Sequence, residues 1–284
     1  MHVAAIQFKA DKGRGRPLEA LERLAALVER AAGAGASLIV CPEMATTGYL
    51  FSDEAAVQEV AEPARGPGYQ RLAEVAGQYG CYVVCGYAEI APAQDAEEEP
   101  GPQEDSGDGV DGDYGVDGDY GVDGDYGVDG GGPRLFNSAR IIGPDGELLY
   151  NYRKRLLFDA DYAWALAGDV PYPSLNTPHG VVTAGICMDL NDDRFTAFLR
   201  GAAARVIAFC TNWVDEGLDV RPYWRYRLLG VSSSFVAANT YGWEEAPGQP
   251  RTRFSGCSTI LGPDGRTLAI GPREGDAIVL ADVP

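Results

Sequence analysis

The chain has 284 residues, of which 45% are hydrophobic, so it is long enough to bury the core of one large domain or two small ones. No run of about 18 apolar residues is present, and the first residues, Met-His-Val-Ala-Ala-Ile-Gln-Phe, look like a strand rather than a signal peptide. The formal charge is −19, but residues 92–132 hold 14 acidic and no basic residues, which leaves −5 for the remainder. This balance argues against nucleic-acid binding, which needs basic surface. We expect a soluble cytoplasmic protein with neither nucleic-acid nor membrane partners.

The cysteines are scattered through apolar or small-residue contexts and do not show the tight spacings of a disulfide scaffold. They are Cys41, Cys81, Cys85, Cys187, Cys210 and Cys257. The chain has only two histidines, His2 and His179, so a zinc site is not expected. The sequence therefore predicts a reducing compartment, with no metal and no cofactor.

Strand and helix patterns alternate along the chain. In the first half they predict a strand at Val3–Phe8, a helix at Leu18–Ala32, a strand at Ser37–Cys41, a helix at Tyr69–Tyr79 and a strand at Cys81–Ile90. Further on they predict a hairpin of Ser138–Ile142 and Leu148–Tyr152, a strand at Val181–Cys187, a helix at Thr196–Ala204, a strand at Val206–Phe209, a helix at Tyr223–Ala237, and a second hairpin of Ser258–Leu261 and Thr267–Ile270. Such alternation is typical of an α/β protein with helices outside and sheet inside.

An acidic low-complexity segment interrupts this pattern at about 92–132. It includes three consecutive copies of Gly-Val-Asp-Gly-Asp-Tyr over residues 109–126. So much Gly and Asp cannot bury enough apolar surface to offset the entropy of ordering, which predicts a disordered loop inserted in a single domain over 1–284. The Asp-Gly-Asp pattern is an alternative calcium signal, but the repeat lacks the twelve-residue loop with its closing Glu.

Three polar residues follow apolar strands, where α/β proteins tend to place catalytic groups: Glu43, Lys154 and Cys187. A thiol can attack an amide carbonyl, a carboxylate can remove the thiol proton, and an ammonium can balance the developing oxyanion. We expect the thiol to be activated by the two nearby charges, since the thiolate is the attacking species.

Each of these residues also has a simpler interpretation. Cys187 could be a small core residue, and Glu43 could be a helix N-terminal residue favoured by the dipole. Lys154 could belong to a solvated charge run with Arg153 and Arg155. Strand alternation, however, allows one inward lysine between two outward arginines.

The combination resembles the nitrilase superfamily of carbon–nitrogen hydrolases, whose mark is a Glu-Lys-Cys set in this chain order. The matching motifs are Cys41-Pro42-Glu43-Met44, Tyr152-Arg153-Lys154 and Gly185-Ile186-Cys187-Met188-Asp189. Glu43 and Lys154 lie 111 residues apart, more than is usual for the family, and removing the insert brings the interval close to the usual one.

The resemblance implies a four-layer α-β-β-α sandwich, commonly a homodimer formed through helices near the nucleophile. It also implies that Glu43 deprotonates Cys187, that ammonia or an amine leaves a thioester, and that a water activated by Glu43 hydrolyses it. Lys154 and the backbone amide of Met188 would hold the oxyanion, a type of contact worth roughly 100- to 1000-fold in rate.

Two departures from the family pattern resemble the branch of protein N-terminal asparagine/glutamine amidases. The family's additional glutamate is missing after the lysine motif, so an aspartate takes that role or none does, and Leu190-Asn191-Asp192-Asp193 delays the Arg-Phe of the nucleophile motif. The candidate substrate-binding residues are Asp161, Trp164, Asp192 and Trp213. The two aspartates could pair with a free α-amino group and the two tryptophans could wall the pocket, although they could equally be rim and core aromatics.

The leading hypothesis is therefore cysteine-dependent hydrolysis of a carboxamide, with a peptide amino-terminal Asn or Gln as one candidate substrate. Nitrile or N-carbamoyl hydrolysis is the alternative within the same chemistry. An alternative of another class is a binding module, in which a hydrolase-like scaffold acts through its acidic repeat on calcium or a basic partner.

Overall fold

Two mixed six-stranded β-sheets make up the centre of the protein, as seen in a computed structural model that describes residues 1–10, 17–93 and 133–284. The strands are β1 His2–Gln7, β2 Leu38–Val40, β3 Tyr82–Ala91, β4 Arg134–Ile142, β5 Leu148–Arg153, β6 Leu175–Thr177, β7 Gly180–Ile186, β8 Val206–Thr211, β9 Ser234–Asn239, β10 Tyr241–Glu244, β11 Thr252–Ser255, β12 Thr259–Leu261, β13 Thr267–Ile270 and β14 Ala277–Asp282. The first sheet has the order β14-β1-β2-β3-β4-β5 and the second β13-β12-β9-β8-β7-β6, while β10 and β11 form a separate hairpin.

The helices lie outside the sheets. They are α1 Pro17–Gly33, α2 Glu54–Gln58, α3 Pro67–Tyr79, α4 Asp193–Gly201 and α5 Arg221–Arg227, with short 3-10 helices at Asp161–Ala163 and Cys187–Asn191. Among the described residues, no helix combines the length and apolar character that a membrane crossing requires.

Side-chain alternation along the strands sorts the molecule into four layers. In β1, Ala4 and Ile6 pack with α1 and α3, whereas Val3 and Ala5 pack into the space between the two sheets. On the far side of the second sheet, the aromatic and aliphatic side chains of β8 and β9 pack against α4 and α5. Because both faces of each sheet are covered, the central strands β2 and β8 are almost entirely apolar. The predicted α-β-β-α sandwich is confirmed.

One predicted element is wrong. Residues Tyr223–Ala237 are not a single helix, because α5 ends at Arg227 and β9 begins at Ser234. The chain turns at Gly230, whose φ of +80° favours glycine. The following residues then enter the second sheet between β8 and β12, where pairing on both sides outweighs their helical spacing.

The predicted disordered loop at about 92–132 lies almost wholly outside the described residues. The residues that flank this segment, Ala91 and Arg134, are directly paired at the last position of the antiparallel β3–β4 ladder. Residues Met1–Ala91 and Arg134–Pro284 together form one compact unit.

Candidate active site

Glu43 lies in a tight turn just after the parallel strand β2, with its side chain buried. Met44, the next residue, has a left-handed φ of +48°, so the backbone reverses direction sharply at this point. The alternative position for Glu43, at the start of a helix, is not realised. The turn instead aims the carboxylate into the interior at the end of the first sheet.

Lys154 follows β5 directly and is completely buried. Its Nζ lies 2.7 Å from Glu43 Oε1 and 2.6 Å from Asp161 Oδ2. Burial alone lowers the pKa of Lys154, but the attraction of Asp161 and Glu43 outweighs burial and holds that pKa above its ordinary value. The side chain is therefore a permanent ammonium between two carboxylates.

Cys187 begins the short 3-10 helix that follows β7, with a φ of +41° that is unfavourable for a residue with a side chain. Glu43 and Lys154 are both close enough to change the pKa of its thiol. Burial and then the charge of Glu43 raise that pKa to about 12, and Lys154 offsets the rise only in part. Burial and the charge of Glu43 thus oppose the activation of this thiol that the sequence leads us to expect, and its activation during the reaction stays a prediction.

Two asparagines that the sequence analysis did not single out hold the Glu43 carboxylate. Asn137 donates to Glu43 Oε1 at 2.7 Å, and the backbone N–H of Asn212 donates to Glu43 Oε2 at 2.9 Å. The Asn212 side chain also donates to the Glu43 carbonyl at 2.8 Å. The sequence of β4 does not distinguish Asn137 locally, because Arg134, Ser138 and Arg140 are further polar residues of the same strand.

Of the four predicted substrate-binding residues, Asp161 contacts a candidate catalytic residue, Lys154, directly. Besides Lys154, its carboxylate accepts hydrogen bonds from Asn137 Nδ2 at 3.2 Å and from the Phe158 N–H at 2.9 Å. Asp161 lies seven residues after Lys154. It is therefore the candidate aspartate for the role that the family's additional glutamate fills.

Asp192, Trp164 and Trp213 have other contacts. Asp192 caps α4 and pairs with Arg194 at 3.0 Å, while Trp164 is buried against Phe51. Trp213 is half-buried and packs edge-on against Trp224. Asp192 is thus a helix cap and both tryptophans are packed side chains, and a part for these three residues in substrate binding stays a prediction.

Met188 follows Cys187 in the first turn of the 3-10 helix, where backbone N–H groups have no partner within the helix.

Over the part of the chain that the structure describes, no group of three or more His, Cys, Asp or Glu side chains could hold a metal ion.

The comparison with protein families covers nearly the whole chain. Residues 2–107 and 118–284 match the model of the carbon-nitrogen hydrolase family. The chain belongs to this family. It is therefore an enzyme, a carbon–nitrogen hydrolase, and the resemblance to carbon–nitrogen hydrolases that the three motifs carry is confirmed.

The relatives of this carbon–nitrogen hydrolase belong to more than one kind of amidase. A protein N-terminal amidase of Schizosaccharomyces pombe is 28% identical over 164 residues, which are 56% of this chain and 45% of that protein, less than half of its length. An omega-amidase of Danio rerio is 29% identical over 295 residues, covering 100% of this chain and 85% of that protein. An amidase from Nesterenkonia sp. has the same fold, with a TM-score of 0.73 and 20% identity over 100% of this chain and 90% of that one.

Proposed function

We propose that this enzyme hydrolyses primary carboxamides through a thioester on Cys187, with Glu43 as general base and Lys154 as the oxyanion partner. The observation that carries the proposal is the buried contact of Lys154 with Glu43, 2.7 Å apart, beside a buried thiol at the end of the neighbouring sheet. A carboxylate, an ammonium and a sulfur are the groups that acyl transfer from an amide requires.

In the first half of the reaction the Cys187 sulfur attacks the carbonyl carbon and its proton passes to Glu43. Oε1 of Glu43 already accepts from Lys154 and Asn137, while Oε2 accepts from the Asn212 N–H, which leaves Oε2 the better placed for the thiol proton. Because the resting thiol has a pKa of about 12, proton transfer accompanies attack and does not precede it.

The oxyanion formed by this attack needs donors. An ammonium has three N–H groups, and Glu43 and Asp161 account for two of those on Lys154, so the third can reach the substrate oxygen. The backbone N–H of Met188 supplies a second donor. Collapse of the intermediate breaks the C–N bond, the nitrogen takes the proton from Glu43, and ammonia leaves.

In the second half Glu43 removes a proton from a water molecule, which attacks the thioester carbon. The C–S bond then breaks, the sulfur regains its proton from Glu43, and the carboxylic acid is released. Lys154 remains protonated throughout, because the two adjacent carboxylates raise its pKa above the ordinary value even though burial opposes this.

Among carboxamides, the finer proposal is the side chain of an amino-terminal Asn or Gln in a peptide. The likeness to a protein N-terminal amidase supports it, as does the charge of the site, where Glu43 and Asp161 outnumber Lys154. Asp161 is engaged by Lys154 and Asp192 by Arg194, so attraction of the substrate ammonium falls to this net charge. The same charge disfavours an amide that carries a carboxylate.

The test is ammonia release from five matched compounds: an Asn-peptide, the same peptide N-acetylated, a dicarboxylic acid monoamide, an N-carbamoyl amino acid and a nitrile. We expect the free Asn-peptide to react fastest and the nitrile to give no ammonia. The Cys187→Ala and Glu43→Gln variants should each lose at least about 1000-fold in kcat, since both remove a group that acts in bond making.

Preference for the dicarboxylic monoamide would overturn the finer proposal and leave the amidase proposal intact. Equal activity of Cys187→Ala and the unmodified enzyme on the best amide would overturn the mechanism itself. A carbamoyl preference would favour the alternative within the same chemistry.

A further inference from the structure

Asp189, two residues beyond Cys187, is a fully buried carboxylate that the mechanism does not use. Its Oδ1 accepts from the N–H groups of Arg155 and Leu156, each at 3.1 Å. Its Oδ2 accepts from the Ile186 N–H at 2.9 Å and from the Tyr152 hydroxyl at 2.8 Å. Every one of these donors lies within two residues of Lys154 or Cys187 in the chain.

The four hydrogen bonds connect the two sheets. Tyr152 lies in β5 of the first sheet, and Arg155 and Leu156 immediately follow Lys154 on the same stretch of chain. Ile186 is the last residue of β7 in the second sheet and immediately precedes Cys187. One carboxylate thus binds the backbone that follows Lys154 and the backbone that precedes Cys187, and so fixes the distance between these two segments.

We infer that Asp189 is a positioning residue, which sets the distance between the Lys154 ammonium and the Cys187 sulfur by bonding the backbone beside each. The inference rests on the proposed function, because it assigns Asp189 a role in the reaction that these two groups carry out. Its importance follows from geometry, since misplacing reacting groups by about 1 Å can cost about 100-fold in rate.

The chemistry of the site requires a carboxylate, and an amide of the same shape cannot replace it. All four partners donate, and an ionised carboxylate accepts at both oxygens. In Asp189→Asn the amide nitrogen would face either the N–H groups of Arg155 and Leu156 or that of Ile186. Donor would then meet donor in a dry interior, and one of the two segments would move away.

The experiment measures kcat and KM on the best amide for Asp189→Asn, Tyr152→Phe and Asp193→Asn, at a temperature well below the lowest midpoint of thermal unfolding. We expect kcat to fall by about 100-fold in Asp189→Asn with KM changed by less than about threefold, because positioning acts on the reaction step. Tyr152→Phe removes one of the four bonds and should lose about tenfold in kcat. Asp193→Asn alters a nearby carboxylate that is 91% exposed and should leave kcat unchanged.

If Asp189→Asn does not fold, Tyr152→Phe carries the test, because it keeps the carboxylate and three of its partners. A folded Asp189→Asn with unchanged kcat would overturn the inference, and so would a loss confined to thermal stability. Full activity in Tyr152→Phe, where Asp189→Asn cannot be measured, would overturn it too. An unmodified enzyme inactive on every amide would overturn the proposed function and the inference together, which distinguishes the two failures.

Discussion

The Cys187 side chain lies where a thiolate is costly. Burial and the negative charge of Glu43 raise the pKa of its thiol to about 12. We therefore expect alkylation of Cys187 by iodoacetamide to quicken by about tenfold for each pH unit between about pH 7 and pH 10, because only the thiolate reacts. Mass spectrometry of peptides from samples quenched over time would measure the rate at this one cysteine.

Cys257 provides the comparison within the same sample. It is half-buried, whereas the other four cysteines are buried, so its labelling reports the behaviour of an accessible thiol at each pH. A Cys187 rate that levels off near pH 7 would instead indicate a resting thiolate paired with Lys154, and the order of proton transfer and attack proposed above would be wrong.

At the scale of elements, β3 supports the Glu43 turn by lacking a side chain at Gly86. A Cβ at this position would lie 2.5 Å from Glu43 Cα, 2.6 Å from the Pro42 carbonyl oxygen and 2.9 Å from the Met44 N, all backbone atoms that cannot rotate away. We expect Gly86→Ala to displace the turn, to lower the free energy of unfolding by about 1 to 3 kcal/mol, and to reduce amide hydrolysis. Urea unfolding and ammonia release would measure the two effects.

Gly201 is the matched control for this substitution. It is the last residue of α4, it does not have a positive φ, and no atom lies within 4 Å of the Cβ it lacks. Gly201→Ala should be neutral or stabilise by up to about 1 kcal/mol, since alanine favours the helix and restricts the unfolded chain. Should Gly86→Ala behave like this control in both assays, the turn does not depend on close packing against β3.

At the scale of the whole molecule, the acidic segment is joined to the sheet at one place. Ala91 and Arg134 are paired across β3 and β4, so an Asn-Gly turn in place of residues 92–133 should close the hairpin. We expect this deletion variant to keep the kcat of the full chain and to be at least as stable, because a shorter loop costs less closure entropy. Ammonia release and thermal unfolding, each with and without added calcium, would test it.

The same measurements address the binding-module alternative. If calcium stabilises the full chain but not the deletion variant, the repeat binds calcium, and the segment is then more than a spacer. If the deletion variant folds yet loses hydrolysis, the acidic segment takes part in the reaction, and the prediction that it is separate from the active site is wrong.

The sequence by itself determined the layered α/β architecture and the residues worth testing. Apolar spacing is a local property, so it identified β1, α1, both predicted hairpins and the strands that precede Glu43 and Cys187. The order of the motifs added Lys154 to the candidate catalytic residues. Without it, Lys154 between Arg153 and Arg155 would have been interpreted as part of a surface charge run.

Only the tertiary structure decided which groups surround those residues. β14 pairs with β1 from the opposite end of the chain, and β9 replaces half of a predicted helix because two neighbouring strands supply its hydrogen bonds. Contacts such as Asn212 with Glu43, or Asp189 with Leu156, join distant segments, so no local pattern reveals them. The thiol pKa likewise depends on burial and nearby charge, which exist only after the two sheets have packed together.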